Sequence, residues 1–84
     1  MKTKLRNLGP KSMQMLAKAG IGPDELHQIG SVRTYLKVRT IWPETSLNLL
    51  WALEGAICDE PWQEVARNER LRLLLELEEA ESRQ

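Results

Sequence analysis

Apolar residues recur along this chain every three or four positions, and no stretch alternates as a half-buried strand would. Leu8, Met13, Leu16 and Ala17 fall near one face at helical spacing. Gly9 can supply a tight turn before them, and Pro10 suits a first helical position, where its missing N–H costs nothing. Gly20 is placed to stop the run, so a first helix is predicted over 10–19. A short second helix follows Gly22, with Pro23 at its first position and Asp24 and Glu25 placed to favour the helix dipole. Leu26 and Ile29 turn inward and Gly30 closes it. Ser31 is then placed to cap a third helix, with Val32, Tyr35, Leu36 and Trp42 along one side and Pro43 as its stop.

Thr45 or Ser46 caps a fourth helix over 46–57 that is apolar on nearly every side, which places it in the middle of a bundle. Gly55 costs that helix roughly 1 kcal/mol relative to alanine and therefore predicts a close helix–helix approach. The segment 58–61 breaks the chain, 62–65 is expected to form a packed turn, and a last helix runs over about 67–81. Leu71, Leu74, Leu75 and Leu77 are expected to face the core from it, and its polar end to fray. Leu50, Leu53, Ile57, Trp51 and Trp62 complete the expected interior. The prediction is an all-α fold: one compact bundle of about five helices in a single domain over 1–84, ordered over about 5–81.

Composition sharpens this picture without changing it. A hydrophobic content of 42% and a charged content of 29% are globular values and exclude wholesale disorder. There is no phenylalanine, so leucines, methionines and the three tryptophans must fill the core. The tryptophans are accordingly read as core anchors before base-stacking platforms, with Trp42 the best exception. No run of about 18 apolar residues exists to span a membrane, and the N-terminus lacks the apolar stretch of a signal peptide. The lone Cys58 cannot form an internal disulfide, which fits a cytoplasmic protein.

The net charge of +0 hides a division. Residues 1–42 carry Lys2, Lys4, Arg6, Lys11, Lys18, Arg33, Lys37 and Arg39 against only Asp24 and Glu25, whereas 43–84 carry four cations against ten acids. Such a domain can turn a basic side to a polyanion. Equally, its halves can complement each other within the fold, or across a homodimer in which the acidic last helix lies over the basic half of a second chain.

Chemistry concentrates at the start of the first helix. Gly9, Lys11 and Ser12 sit beside unpaired backbone N–H groups and the positive end of the helix dipole, an arrangement that can cradle a phosphate. The same features also describe an ordinary capped helix. The two helices around Gly20-Ile21-Gly22 have the form of a helix–hairpin–helix unit, which grips nucleic-acid phosphates without reading bases. Gly9, Lys11 and Ser12 are then the phosphate-facing candidates, with Lys18, Arg33 and Lys37 as outlying cations. No catalytic, cofactor or metal motif emerges, so an enzyme is not expected. His27 has no second ligand at metal spacing. Cys58 lies beside Asp59 and Glu60, which would raise its thiol pKa and keep it unreactive.

Leu5-Arg-Asn-Leu-Gly-Pro-Lys-Ser12, Leu16 with Ala19-Gly20-Ile21, and Leu47-Asn-Leu-Leu-Trp-Ala-Leu-Glu-Gly-Ala-Ile57 with Trp62 resemble the C-terminal domain of the TfoX (Sxy) competence regulators. The resemblance covers about Leu5 to Leu77. It implies a bacterial, cytoplasmic, all-helical domain tied to induction of natural transformation genes, acting with a cyclic-AMP receptor protein and the transcription machinery at promoters. The turn Asn7-Leu8-Gly9-Pro10-Lys11-Ser12 is also similar to the DNA-touching turn in the C-terminal domain of the RNA polymerase α subunit, with Pro10 in place of a lysine. Full-length TfoX proteins carry an N-terminal α/β domain, whereas Met1 here lies almost directly on the C-terminal motif. A stand-alone relative and a shortened chain are the two readings of that difference.

Overall fold

The computed structural model describes residues 7–83 and contains five helices among them: α1 (Pro10–Lys18), α2 (Pro23–Ile41), α3 (Leu47–Cys58), α4 (Trp62–Asn68) and α5 (Arg70–Ser82). No strand occurs among the described residues, and the fold is all-α. Leu5 and the cations Lys2, Lys4 and Arg6 lie outside the described residues.

The hairpin between α1 and α2 is built by backbone geometry. The Gly20 N–H donates to Ala17 O at 3.0 Å, and the Gly20 φ of 78°, which L side chains resist, turns the chain so that the Ile21 N–H reaches Leu16 O at 2.9 Å. Ile21 and Leu16 are both buried, the apolar contact that normally seals such a helix end. Ala17, expected inside, is exposed, and Met13 is half-buried. At the start of α2 the Gly22 N–H donates to the Glu25 carboxylate at 3.1 Å.

Gly30 breaks the helix where the sequence places the break, although the cap falls one residue earlier than expected. At φ 89° and ψ 168° its backbone is non-helical and α2 kinks there, so the second and third predicted helices are the two arms of α2 on either side of Gly30. Gly30 itself is the non-helical residue before the second arm. Ser31 is therefore already helical and does not cap. It is buried, and its hydroxyl donates to Glu54 Oε1 of α3 at 2.7 Å.

α3 occupies the centre as predicted, burying Leu49, Leu50, Trp51, Ala52, Leu53 and Ala56, with Ile57 half-buried. The expected close approach at Gly55 is present, although not to another helix. A methyl group there would collide with the Asn7 side-chain amide and the Glu60 carbonyl. Asn7 stitches this corner together: its Nδ2 donates to Glu60 O at 2.8 Å, and its Oδ1 accepts from the Trp62 N–H at 3.3 Å. Dense contacts join α2 to α3 and α3 to α4, whereas α1 is attached more sparsely, largely through Leu8, Leu16 and Ile21.

The C-terminal third departs most from expectation. The predicted turn at 62–65 is the first part of α4, started by Pro61 and anchored by buried Val65, and α5 begins only at Arg70. Leu73 and Leu77, with half-buried Leu74 and Ala80, form the inward face of α5, while Leu71 and Leu75 are 72% and 55% exposed. Leucines crowd several sides of this helix, and the stripe continuous with Ala80 wins the core. Trp62, expected inside, is 37% exposed at the first position of α4.

Arg72 locks α5 in place, donating from Nε to Glu69 at 2.8 Å, from one terminal nitrogen to Glu76 at 2.8 Å and from the other to Glu54 of α3 at 2.9 Å. Arg39 ties α2 to Glu81 of α5 at 2.6 Å and lies over the Tyr35 ring. The Thr34 hydroxyl is buried and makes no hydrogen bond among the described residues.

Candidate nucleic-acid interface

The first turn of α1 keeps the features its sequence promised. Gly9 is the extended residue ahead of the helix, Pro10 follows at the first position, and no side chain among the described residues caps the end. The Gly9 carbonyl accepts from the Met13 N–H at 3.0 Å, which leaves the Lys11 and Ser12 N–H groups at the helix mouth without intrahelical partners. Lys11 is exposed and Ser12 half-exposed. The positive end of the helix therefore carries a free ammonium and a hydroxyl.

Ser12 does not stand alone. It lines a shallow groove of about 370 Å³ with Asn7, Thr45, Ser46, Asn48 and Trp62. Ser46 is the extended residue ahead of α3, and its side chain makes no capping bond either. Two uncapped helix starts thus adjoin one open groove, with an exposed indole on its wall. Sequence reasoning missed Thr45, Ser46, Asn48 and Trp62 as groove residues. The available signal was a second helix start, Ser46-Leu47-Asn48, just after Pro43, but nothing local says that it folds beside the first.

The remaining candidates are not gathered there. Lys18 is exposed in the last turn of α1, about 10 Å along the axis from Lys11 at helical rise. Arg33 and Lys37, one turn apart on the second arm of α2, line a different cleft of about 670 Å³. Its other walls include Glu54 of α3 and Glu76 and Glu79 of α5. Together with the Arg39–Glu81 pair, this shows part of the sequence's basic half facing its acidic half within one chain.

The ionisable groups with displaced pKa values cluster around that second region. Partial burial works to raise the Glu54 pKa, but hydrogen bonds from Ser31, Arg72 and Cys58 outweigh it and hold the carboxylate below its ordinary value. Burial first, and then the Glu54 carboxylate 3.4 Å from its Sγ, push the Cys58 thiol up. Glu60 contributes to that rise, as the sequence suggested, but less than Glu54. Bonds to Glu69 and Glu54 raise the already high pKa of Arg72, and the bond to Glu81 does the same for Arg39. None of these groups touches the groove at Ser12. Among the described residues, no group of three or more His, Cys, Asp or Glu is arranged to hold a metal ion, and no helix is long and apolar enough to cross a membrane.

The family resemblance implied an all-helical domain, and the described residues form one. The TfoX C-terminal domain family matches residues 2–77, and the chain belongs to it. The fold is also similar to the crystal structure of an uncharacterized protein from Listeria monocytogenes, with 30% sequence identity and a TM-score of 0.80. That match covers 93% of this chain and 90% of the other. No curated protein matches the chain.

Proposed function

We propose that this chain is a non-enzymatic regulatory binding domain of the bacterial cytoplasm that serves transcriptional control of natural competence, meeting DNA through the phosphate backbone. Membership of the TfoX C-terminal domain family supports the regulatory setting and, with it, a promoter-bound partner such as a cyclic-AMP receptor protein. The observation that carries the DNA reading is the groove lined by Ser12 in the first turn of α1 and by Ser46 and Asn48 at the start of α3, with exposed Lys11 the residue before Ser12. Backbone N–H groups, the Ser12 hydroxyl and the Lys11 ammonium supply donors and positive potential but no pattern that distinguishes bases. Binding is therefore weak, tolerant of sequence and steeply reduced by salt.

A titration of duplex DNA at several salt concentrations tests this. Lys11→Glu should lower affinity by a similar factor on every sequence and flatten the salt dependence by about one to two charges, without altering the fold. Absence of binding by the wild-type domain at low salt would reduce the first turn of α1 to a plain helix start. Docking onto a promoter-bound protein would then be the working mechanism.

A further inference from the structure

The outward side of α5 is unusual for a helix that already has a core face. Leu71 and Leu75, one turn apart, are 72% and 55% exposed and share a shallow depression with Arg72, Glu76 and Glu79. The inward side is complete without them, because Leu73 and Leu77 are buried. Two adjacent leucines left in water form the apolar centre of a small contact surface, with charged residues as its rim.

The order of those charges says what the surface fits. Arg70 and Arg72 flank the first leucine, with Glu69 already bound to Arg72, and Glu76, Glu78, Glu79 and Glu81 lie beyond the second, with Arg83 already bound to Glu79. A parallel copy of the helix would set arginines against arginines and glutamates against glutamates. An antiparallel copy brings each basic end to an acidic end and opposes the two helix dipoles. Such a pattern is self-complementary under a two-fold axis, the usual symmetry of a homodimer.

We propose that a second copy of this chain docks antiparallel on α5, with Leu71 of each copy over Leu75 of the other and Arg70 of each facing Glu78 of the other. Arg70 and Glu78 are the free pair for this purpose, since neither makes an ion pair among the described residues. Arg72 and Glu76, in contrast, are bound to each other. Helical geometry agrees with the pairing: once the leucines interlock about a dyad at the height of Leu73 on the outward side, residues 70 and 78 fall on the same flank and within about 3 Å in height. Two leucines per copy bury less than the roughly 1,200 Å² of a stable interface, so the dimer is transient, with a Kd on the order of 0.1 mM. This arrangement differs from one in which α5 lies across the basic half of the partner, and it stands independently of DNA binding.

Sedimentation equilibrium of the full chain over about 0.02–1 mM reads the result. The wild type should pass from monomer to dimer, while Leu75→Glu should stay monomeric with unchanged far-ultraviolet circular dichroism, since the side chain is exposed. Arg70→Glu and Glu78→Arg should each weaken the dimer about fivefold, and the two together in one chain should restore it to within about twofold. A wild type monomeric at 1 mM, or a dimer indifferent to Leu75→Glu, overturns the proposal. Failure of the double reversal to restore association rejects the antiparallel pairing.

Discussion

Replacing Gly55 with alanine should weaken this protein, although helix propensity alone argues the opposite. Gly55 lies inside α3, where alanine would gain about 1 kcal/mol. Opposing this, the new methyl group would overlap the Asn7 amide nitrogen and the Glu60 carbonyl oxygen. Overpacking of a tight site costs about 1–3 kcal/mol. Displacing Asn7 also breaks its 2.8 Å hydrogen bond to Glu60 O, worth about 1 kcal/mol more. The net expectation is a loss of about 1–3 kcal/mol. Urea unfolding followed by tryptophan fluorescence measures it, because Trp51 is buried against the same helix bundle. With a urea slope of about 1 kcal/mol per molar for so small a domain, the midpoint should fall by about 1–3 M at unchanged slope. Asn7→Ala should cost less, and the two changes together should be less than additive, since each disturbs the same contact. A higher midpoint for Gly55→Ala would refute the reasoning and show that the corner relaxes freely.

Leu53→Ala should cost about 2–5 kcal/mol in the same assay, because Leu53 is fully buried at the centre of α3. Thr34→Val should stabilise by about 1 kcal/mol, since it removes a buried hydroxyl without a hydrogen bond and keeps the shape; thermal unfolding should show the gain. Glu54 is held below its ordinary pKa in the folded state, so its contribution is present above the unfolded value of about 4.3 and is lost as pH falls through the folded one. Unfolding free energy should therefore decline as pH drops below about 4.3, and Glu54→Gln should make that decline shallower.

Regularly spaced segments bounded by proline and glycine were legible from sequence, and long-range placement was not. Pro10, Gly20, Pro23 and Pro43 mark backbone constraints that hold in any fold, so α1, the hairpin and the end of α2 fall where local rules place them. Gly30 is instructive because one residue at positive φ ends one helical arm and lets the next begin at once across a kink. The error on α5 has a different origin. Six of the residues from Leu71 to Leu77 are leucine or arginine, and periodicity cannot choose among apolar faces that overlap. The choice is made by α2 and α3, whose surfaces no local window contains. The candidate site divided in the same way: Gly9, Lys11 and Ser12 were visible as a helix start, whereas Thr45, Ser46, Asn48 and Trp62, which share the groove with Ser12, come from more than thirty residues away.

The sparse attachment of α1 sets an order of opening within the native state. Amide protons in α2 and α3 are shielded by the shared core and exchange with solvent chiefly through global unfolding. Those of α1 depend on Leu8, Leu16 and Ile21 staying seated, so they are released by a smaller and more frequent excursion. The candidate phosphate contact is therefore carried by the helix that leaves first. A ligand gripping its mouth must also hold it down, and its observed affinity is lowered by the fraction of time α1 is detached. The same linkage makes proton exchange in α1 a gauge of occupancy, slowing in proportion as the groove is filled while α2 and α3 keep their rates.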